Sequence, residues 1–195
     1  MLKKLLGALA VAVIVLIGVA YMLPSQVHVE RTIVIDRPAA AVFPLVNSFH
    51  RFNDWSPWKQ QDPTATYTYS GPDAGVGAAM AWSGNSKVGR GTEVITDSVP
   101  DSRVSIELVF GNMTPQKAMW LLSADGSSTK VVWTLESDVG NGPLGRYLGL
   151  FLDRMVGPDY ELGLKQLKAL AEKATAEDAA HPTSSATTEA NASTS

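Results

Sequence analysis

Residues 104–138 read VSIELVFGNMTPQKAMWLLSADGSSTKVVWTLESD. Val104, Ile106, Leu108 and Phe110 alternate with Ser105, Glu107 and Val109, the period-two pattern of a half-buried strand. Gly111-Asn112 turns the chain. Two further β-rich runs follow at 116–124 and 129–138, and Asp125-Gly126 between them is a strong hairpin signal. Short strands joined by tight turns dictate an antiparallel sheet.

Working outward from this stretch, 91–99 reads as a strand that turns at Pro100-Asp101-Ser102-Arg103. Residues 78–83 precede it across Gly84-Asn85-Ser86, and Tyr67 and Tyr69 fall in a short strand before Ser70-Gly71-Pro72-Asp73. At the start of the chain, 27–35 alternates as a strand. Asp36 then looks like an N-cap with Pro38 in the first helical turn, and Val42, Phe43 and Val46 form that helix's apolar face. Pro44 keeps this helix short, and 50–58 reads as a second short helix or turn. Downstream, 143–173 is helical: Leu144, Leu148, Phe151, Leu152 and Met155 recur at helical spacing, as do Tyr160, Leu164, Leu167 and Leu170. Gly157-Pro158 predicts a kink or two helices meeting there, and Arg154, Asp159 and Glu161 beside it are expected to pair with one another or to cap the second segment.

The ends have different chemistry. Lys3 and Lys4 precede an uncharged apolar run, 5–23, with Leu5, Val15 and Leu23 along it. Nineteen residues at ~1.5 Å each come close to the ~30 Å bilayer core. A membrane anchor over 1–24 is expected, N-terminus cytoplasmic and the remainder outside. Gly18-Val19-Ala20 resembles a signal-peptidase site, so a cleaved signal is the alternative; the apolar run is longer than a usual signal-peptide core. Only Pro24-Ser25-Gln26 separates the anchor from the first strand, at most ~10 Å of extended chain, so a retained anchor holds the domain of residues 25–175 against the bilayer. From 176 to 195 the chain is mostly Ala, Ser, Thr and Glu, with Asp178, His181, Pro182 and Asn191 and no apolar side chain larger than Ala apart from the one Pro, a composition expected to be disordered.

Composition excludes several classes. No cysteine among 195 residues removes disulfides, thiolate nucleophiles and Cys-ligated metals. The formal charge of −3 lacks the footprint of a nucleic-acid binder. Without Lys3 and Lys4 the remainder carries 14 Lys and Arg against 19 Asp and Glu, so no polybasic lipid-binding surface is evident. No P-loop, dinucleotide fingerprint or serine nucleophile elbow occurs, and no cofactor is implied.

The order of strand, two short helices, antiparallel strands and long C-terminal helix resembles the START-like superfamily, the SRPBCC or polyketide cyclase/dehydrase proteins, in a membrane-anchored bacterial subgroup. The resemblance is carried by Glu30-Arg31, Ile35-Asp36-Arg37-Pro38, Val42-Phe43, Trp55-Ser56-Pro57-Trp58, 67–72, Gly75-Val76-Gly77 and 155–164. It implies an α+β helix-grip fold: about seven antiparallel strands wrapped around the long helix, with an apolar cavity between them. It implies binding of a lipophilic small molecule (lipid, quinone or polyketide-like). The other readings it leaves are a protein-interaction module of the cell envelope and a cyclase/dehydrase-type enzyme. No catalytic motif runs through the superfamily.

Within that fold, Tyr67, Tyr69, Trp82, Phe110, Trp120, Trp133, Met155 and Tyr160 are expected to line the cavity, plain core packing being the alternative for the strand aromatics. Trp55 and Trp58 either form a lid or close one end of the core. His50 with Asp54 is the one candidate acid–base pair near a cavity mouth, against a solvated helix face. Glu93, Glu107 or Glu136 could anchor a ligand from inside an apolar pocket with a raised pKa, although strand carboxylates usually face water. No metal site is expected, since His50 has no second histidine nearby.

Overall fold

In the computed structural model, which describes residues 1–180, the chain runs α1 (Leu2–Met22), β1 (Gln26–Ile35), α2 (Ala39–Val46), α3 (Phe49–Phe52), α4 (Pro57–Gln61), β2 (Thr66–Ser70), β3 (Ala79–Ser83), β4 (Arg90–Val99), β5 (Arg103–Phe110), β6 (Gln116–Asp125), β7 (Ser128–Asp138) and α5 (Pro143–Ala180). The seven strands form one antiparallel sheet in the order β1-β7-β6-β5-β4-β3-β2. Tight turns carry it. Gly126 takes φ 64° between β6 and β7, a conformation open to glycine at little cost. Asp101 takes φ 57° between β4 and β5, where a short polar side chain is tolerated. A register shift between Ile95 and Asp97 puts a bulge in β4, which adds local bend and twist to the sheet.

One face of this sheet is apolar, because alternate residues of each strand point to it. Val29, Ile106, Trp120, Val131, Trp133 and Leu135 are buried there. Tyr160, Leu164, Leu167 and Ala171, spaced on one stripe of α5, close the core from the other side. The helix comes close at Gly163, where a Cβ would stand 2.9 Å from the Trp133 ring and 3.2 Å from Pro57. Charge ties the two layers together. Arg31 of β1 lies across Gly157 and makes two bonds to Asp153 (2.8 and 3.1 Å) and one to Glu161 (2.9 Å). Hydrogen bonding to Asp153, then to Glu161, raises the Arg31 pKa, and Arg31 holds the Asp153 carboxyl below its usual range. Both carboxylates are more than half exposed, so Arg31→Met is expected to cost only about 1 kcal/mol, read as a lower urea midpoint of the full chain in detergent.

Four local expectations are corrected. α5 runs as one helix through Gly157-Pro158, so two separate helices do not meet there; the carbonyl that loses its partner belongs to Arg154, an exposed residue. The charges around the proline do not pair with one another, since Glu161 goes to Arg31 and Asp159 accepts from Gln61 at 2.7 Å. Pro38, not Asp36, is the N-cap of α2. The backbone N–H of Asp36 donates to Glu172 at 2.8 Å and its carboxylate accepts from Ser128 at 3.0 Å, so Asp36 ties β1 to β7 and α5. α5 extends to Ala180, into the stretch read as an unstructured tail from 176; the remainder of that tail, 181–195, lies outside the described residues.

Candidate functional site

The inner face of β2 to β5 is laid out in rows by the strand register. Tyr67, Trp82, Gly91 and Phe110 share one row; Tyr69, Met80, Glu93 and Leu108 share the next. The first row depends on Gly91: any side chain there would collide with the Trp82 ring, which lies over it. Trp82 is held edge-on to Phe110 at 5.3 Å and donates its indole N–H to Val88 O at 3.2 Å. Further along the sheet Trp120 stands opposite Trp133, and Trp133 stacks on Tyr160 of α5 with ring centres 3.8 Å apart.

Between these rows, α3, α4 and α5 lies a cavity of about 260 Å³. It exceeds the roughly 150 Å³ that admits a single benzene ring. Its walls are aromatic and aliphatic: Tyr67, Trp82, Phe110, Trp120, Trp133, Met155 and Tyr160 all face it, joined by Phe52, Trp58, Met80, Ile106 and Ala118.

Five buried polar atoms on lining residues have no hydrogen-bond partner: Tyr67 Oη, Asn53 Oδ1, Glu93 Oε2, Trp120 Nε1 and Trp133 Nε1. Buried polar groups are normally paired. Around one apolar space the cluster combines potential donors, the indoles and the phenol, with potential acceptors, the amide and the carboxylate. Glu93 is the central member. Burial among Met80, Leu108 and the aromatic walls disfavours its charged form and pushes its pKa up to about 7. Burial, followed by the charge on Glu93, raises Tyr160; Tyr67 is raised by burial first, then by Tyr69, Asp62 and Glu93. Asp159 and Lys87 are the other charged residues of the lining.

The remaining candidates are placed elsewhere. Tyr69 is on the inner face, but α3 roofs it: its ring stacks on His50 at 3.8 Å and its hydroxyl accepts from Asn53 Nδ2 at 2.7 Å. Tyr69 and His50 line a separate, more polar depression of about 180 Å³. Asp54 accepts from Arg51 at 2.8 Å, and neither His50 nor Asp54 lines the apolar cavity. The reason is local: a four-residue helix turns Phe49, Phe52 and Asn53 inward, which leaves Arg51 and Asp54 on its outer side and His50 over Tyr69 beside the cavity. Trp55 belongs to the closed core, donating to Leu45 O at 2.9 Å, whereas Trp58 lines the cavity. Glu107 and Glu136 are exposed. Leu5 and Val15 lie exposed on α1; Leu23 caps its C-terminal end. Among the described residues no group of three or more His, Asp or Glu side chains gathers as a metal site.

The sequence alone favours a water-facing Glu93, and the structure corrects this by placing it in the cavity lining. The β4 pattern gives parity but no direction: Gly91, Glu93 and Ile95 alternate with Thr92 and Val94, and both sets hold an apolar and a polar residue. Gly91 was the usable signal, because a strand glycine marks close approach and therefore the packed side.

A family model described as polyketide cyclase / dehydrase and lipid transport matches residues 26–172. No curated protein matches the chain. Among solved structures, the di-domain ARO/CYC StfQ from the steffimycin biosynthetic pathway superposes with TM-score 0.59 at 11% identity, over 77% of this chain and 52% of StfQ. A protein from Thermobifida fusca gives 0.57 at 20% identity, over 75% and 93% of the two chains. Ara h 8.0201 gives 0.55 at 12% identity, over 76% and 99%. At these identities the likenesses show the fold.

Proposed function

This chain belongs to the polyketide cyclase / dehydrase and lipid transport family, and from that premise we propose that it is a membrane-tethered binding module for a lipophilic small molecule (lipid, quinone or polyketide-like). The observation that carries the reading is the cavity itself: apolar, wide enough for more than one ring, and set with five unpartnered polar atoms. Apolar walls supply affinity through burial, and a few fixed polar groups select orientation. The Trp120 and Trp133 N–H groups and the Tyr67 hydroxyl suit a carbonyl or phenolic oxygen. Glu93 in its protonated form donates as well; ionised, it accepts. The tether is α1. Its 21 residues span ~31 Å, its apolar side chains face outward, and Lys3 and Lys4 favour a cytoplasmic N-terminus. A signal sequence is the other role its composition fits.

A second reading, acid–base chemistry of the cyclase or dehydrase kind, is favoured by the position of Glu93. It is the cavity carboxyl that burial brings near neutrality, where a general acid or base works best.

Native mass spectrometry of the full chain, extracted gently from membranes, tests the binding reading. The wild type is expected to carry a specific lipophilic adduct at the mass of a chain that retains α1. Ala118→Phe, which puts a ring into the cavity between Ile106 and Leu135, is expected to lose at least ten-fold of that occupancy while the thermal midpoint holds. An adduct that survives Ala118→Phe unchanged sinks the assignment to this cavity.

A further inference from the structure

The apolar spacing at the start of α5 does not serve the core. Leu144, Leu148, Phe151 and Met155 fall on one stripe at intervals of four, three and four residues, and all four are exposed, at 72, 57, 55 and 67%. Leu162 continues the stripe with 41% exposure. No charged residue occupies these positions. The acidic residues Asp153 and Glu161 turn the other way, to Arg31, and Leu152 is the member of this turn that packs on the core. Exposed apolar stripes of this size mark an interaction surface.

The neighbouring element says what covers it. Arg146 Nη1 donates to Tyr21 O at 3.1 Å and to Leu23 O, capping the C-terminal end of α1, and its guanidinium sits over the Tyr21 ring. One residue on, the Tyr147 hydroxyl donates to Leu16 O at 2.8 Å. Leu16 is seven residues before Leu23, ~10 Å along the helix. The first turns of α5 therefore sit beside the last two turns of α1, at the depth where a spanning helix leaves the hydrocarbon. A stripe of large apolar side chains free of charge, lying beside that exit, has the pattern of a helix in the plane of the interface.

We infer that the N-terminal part of α5 lies in the surface of the same bilayer that α1 crosses, with Leu144, Leu148, Phe151 and Met155 among the lipid chains. Met155 also lines the cavity, so the mouth of the cavity opens onto the membrane, and a lipophile passes between bilayer and cavity without crossing water. The inference rests on the tethered reading of α1.

The absence of cysteine makes the test clean. Single variants Leu9→Cys, Leu148→Cys, Phe151→Cys and Lys130→Cys of the full chain are spin-labelled in phosphatidylglycerol/phosphatidylethanolamine nanodiscs. Their accessibility to oxygen, which partitions into lipid, is compared with accessibility to a water-soluble nickel chelate. Lys130 pairs with Val34 toward the end of β1 away from α1 and serves as the aqueous reference. Labels at 148 and 151 are expected to follow Leu9, with oxygen favoured at least five-fold relative to Lys130. If they follow Lys130 while Leu9 stays in lipid, the tether stands and the inference falls. Labels at 148 and 151 shielded from both reagents mean that protein, not lipid, covers the stripe, which overturns it as well. A water-exposed Leu9 removes the tether and the inference together.

Discussion

Glu93→Gln is expected to abolish a loss of about 3 kcal/mol that the wild-type fold undergoes between pH 4.5 and pH 7. The folded-state pKa of about 7 stands above the ordinary 4.5 because burial disfavours the charge. Below pH 4.5 both folded and unfolded chains carry the proton, and stability from this group is whole. Between 4.5 and 7 the unfolded chain has released the proton and the folded chain has kept it, so stability falls as pH rises. Above 7 both are ionised and the curve is flat. At ~1.4 kcal/mol per pH unit the interval amounts to about 3 kcal/mol. Asp153, held low by Arg31, acts in the opposite sense and beneath this window. Urea unfolding of the full chain in detergent at pH 5 and pH 8 measures the effect. The variant is expected to match the wild type at pH 5 and exceed it at pH 8; parallel pH profiles would show that Glu93 is solvated in the folded state.

Trp133→Ala carries the largest single cost, about 4 kcal/mol, lowering the thermal midpoint by ~10 °C for a domain of this size. Trp133 is 2% exposed. It stacks on Tyr160 at 3.8 Å and meets Trp55 and Trp58 edge-on at 5.6 and 5.8 Å. Truncation therefore removes the contact between sheet and α5 where Gly163 brings them closest, and leaves a void continuous with the cavity. Trp58→Ala, half-buried at the cavity wall, is expected to cost less than half as much. Circular dichroism melts of both variants check the order; equal losses would mean that the aromatic cluster, not the helix–sheet contact, sets the stability.

The sheet was legible because its signals are local. Asp125-Gly126 needs only two residues to fix a hairpin, and Val104 to Phe110 shows its inner face by alternation. The sidedness of α5 was not legible. Leu144, Leu148, Phe151 and Met155 have the same spacing as Tyr160, Leu164, Leu167 and Ala171, yet one set faces outward and the other inward. Periodicity reports a stripe, not what covers it. The same holds at α3: four residues place His50 and Asp54 within reach of a cavity in sequence, and the direction of one helical turn takes them out of it. Glu93 needed the register, because an unpartnered carboxylate is a property of its neighbours on β3 and β5.

The strand order also governs when the fold can be completed. Within the sheet β1 bonds only to β7, so residues as close to the start as Gln26 pair with residues as late as Asp138. Ribosomal synthesis delivers β1 some ninety residues before its partner, and β2 to β6 can zip by short hairpins in the meantime. Adding β1 to the edge of β7 is thus a late, long-range step, and long-range pairing is slow. Until then β1, fastened close to the end of α1, has unpaired N–H and C=O groups on both sides, the condition under which nascent chains mispair. Arg31 and the Asp36 N–H, which reach across to α5 from the first strand, act only after the final helix has been made.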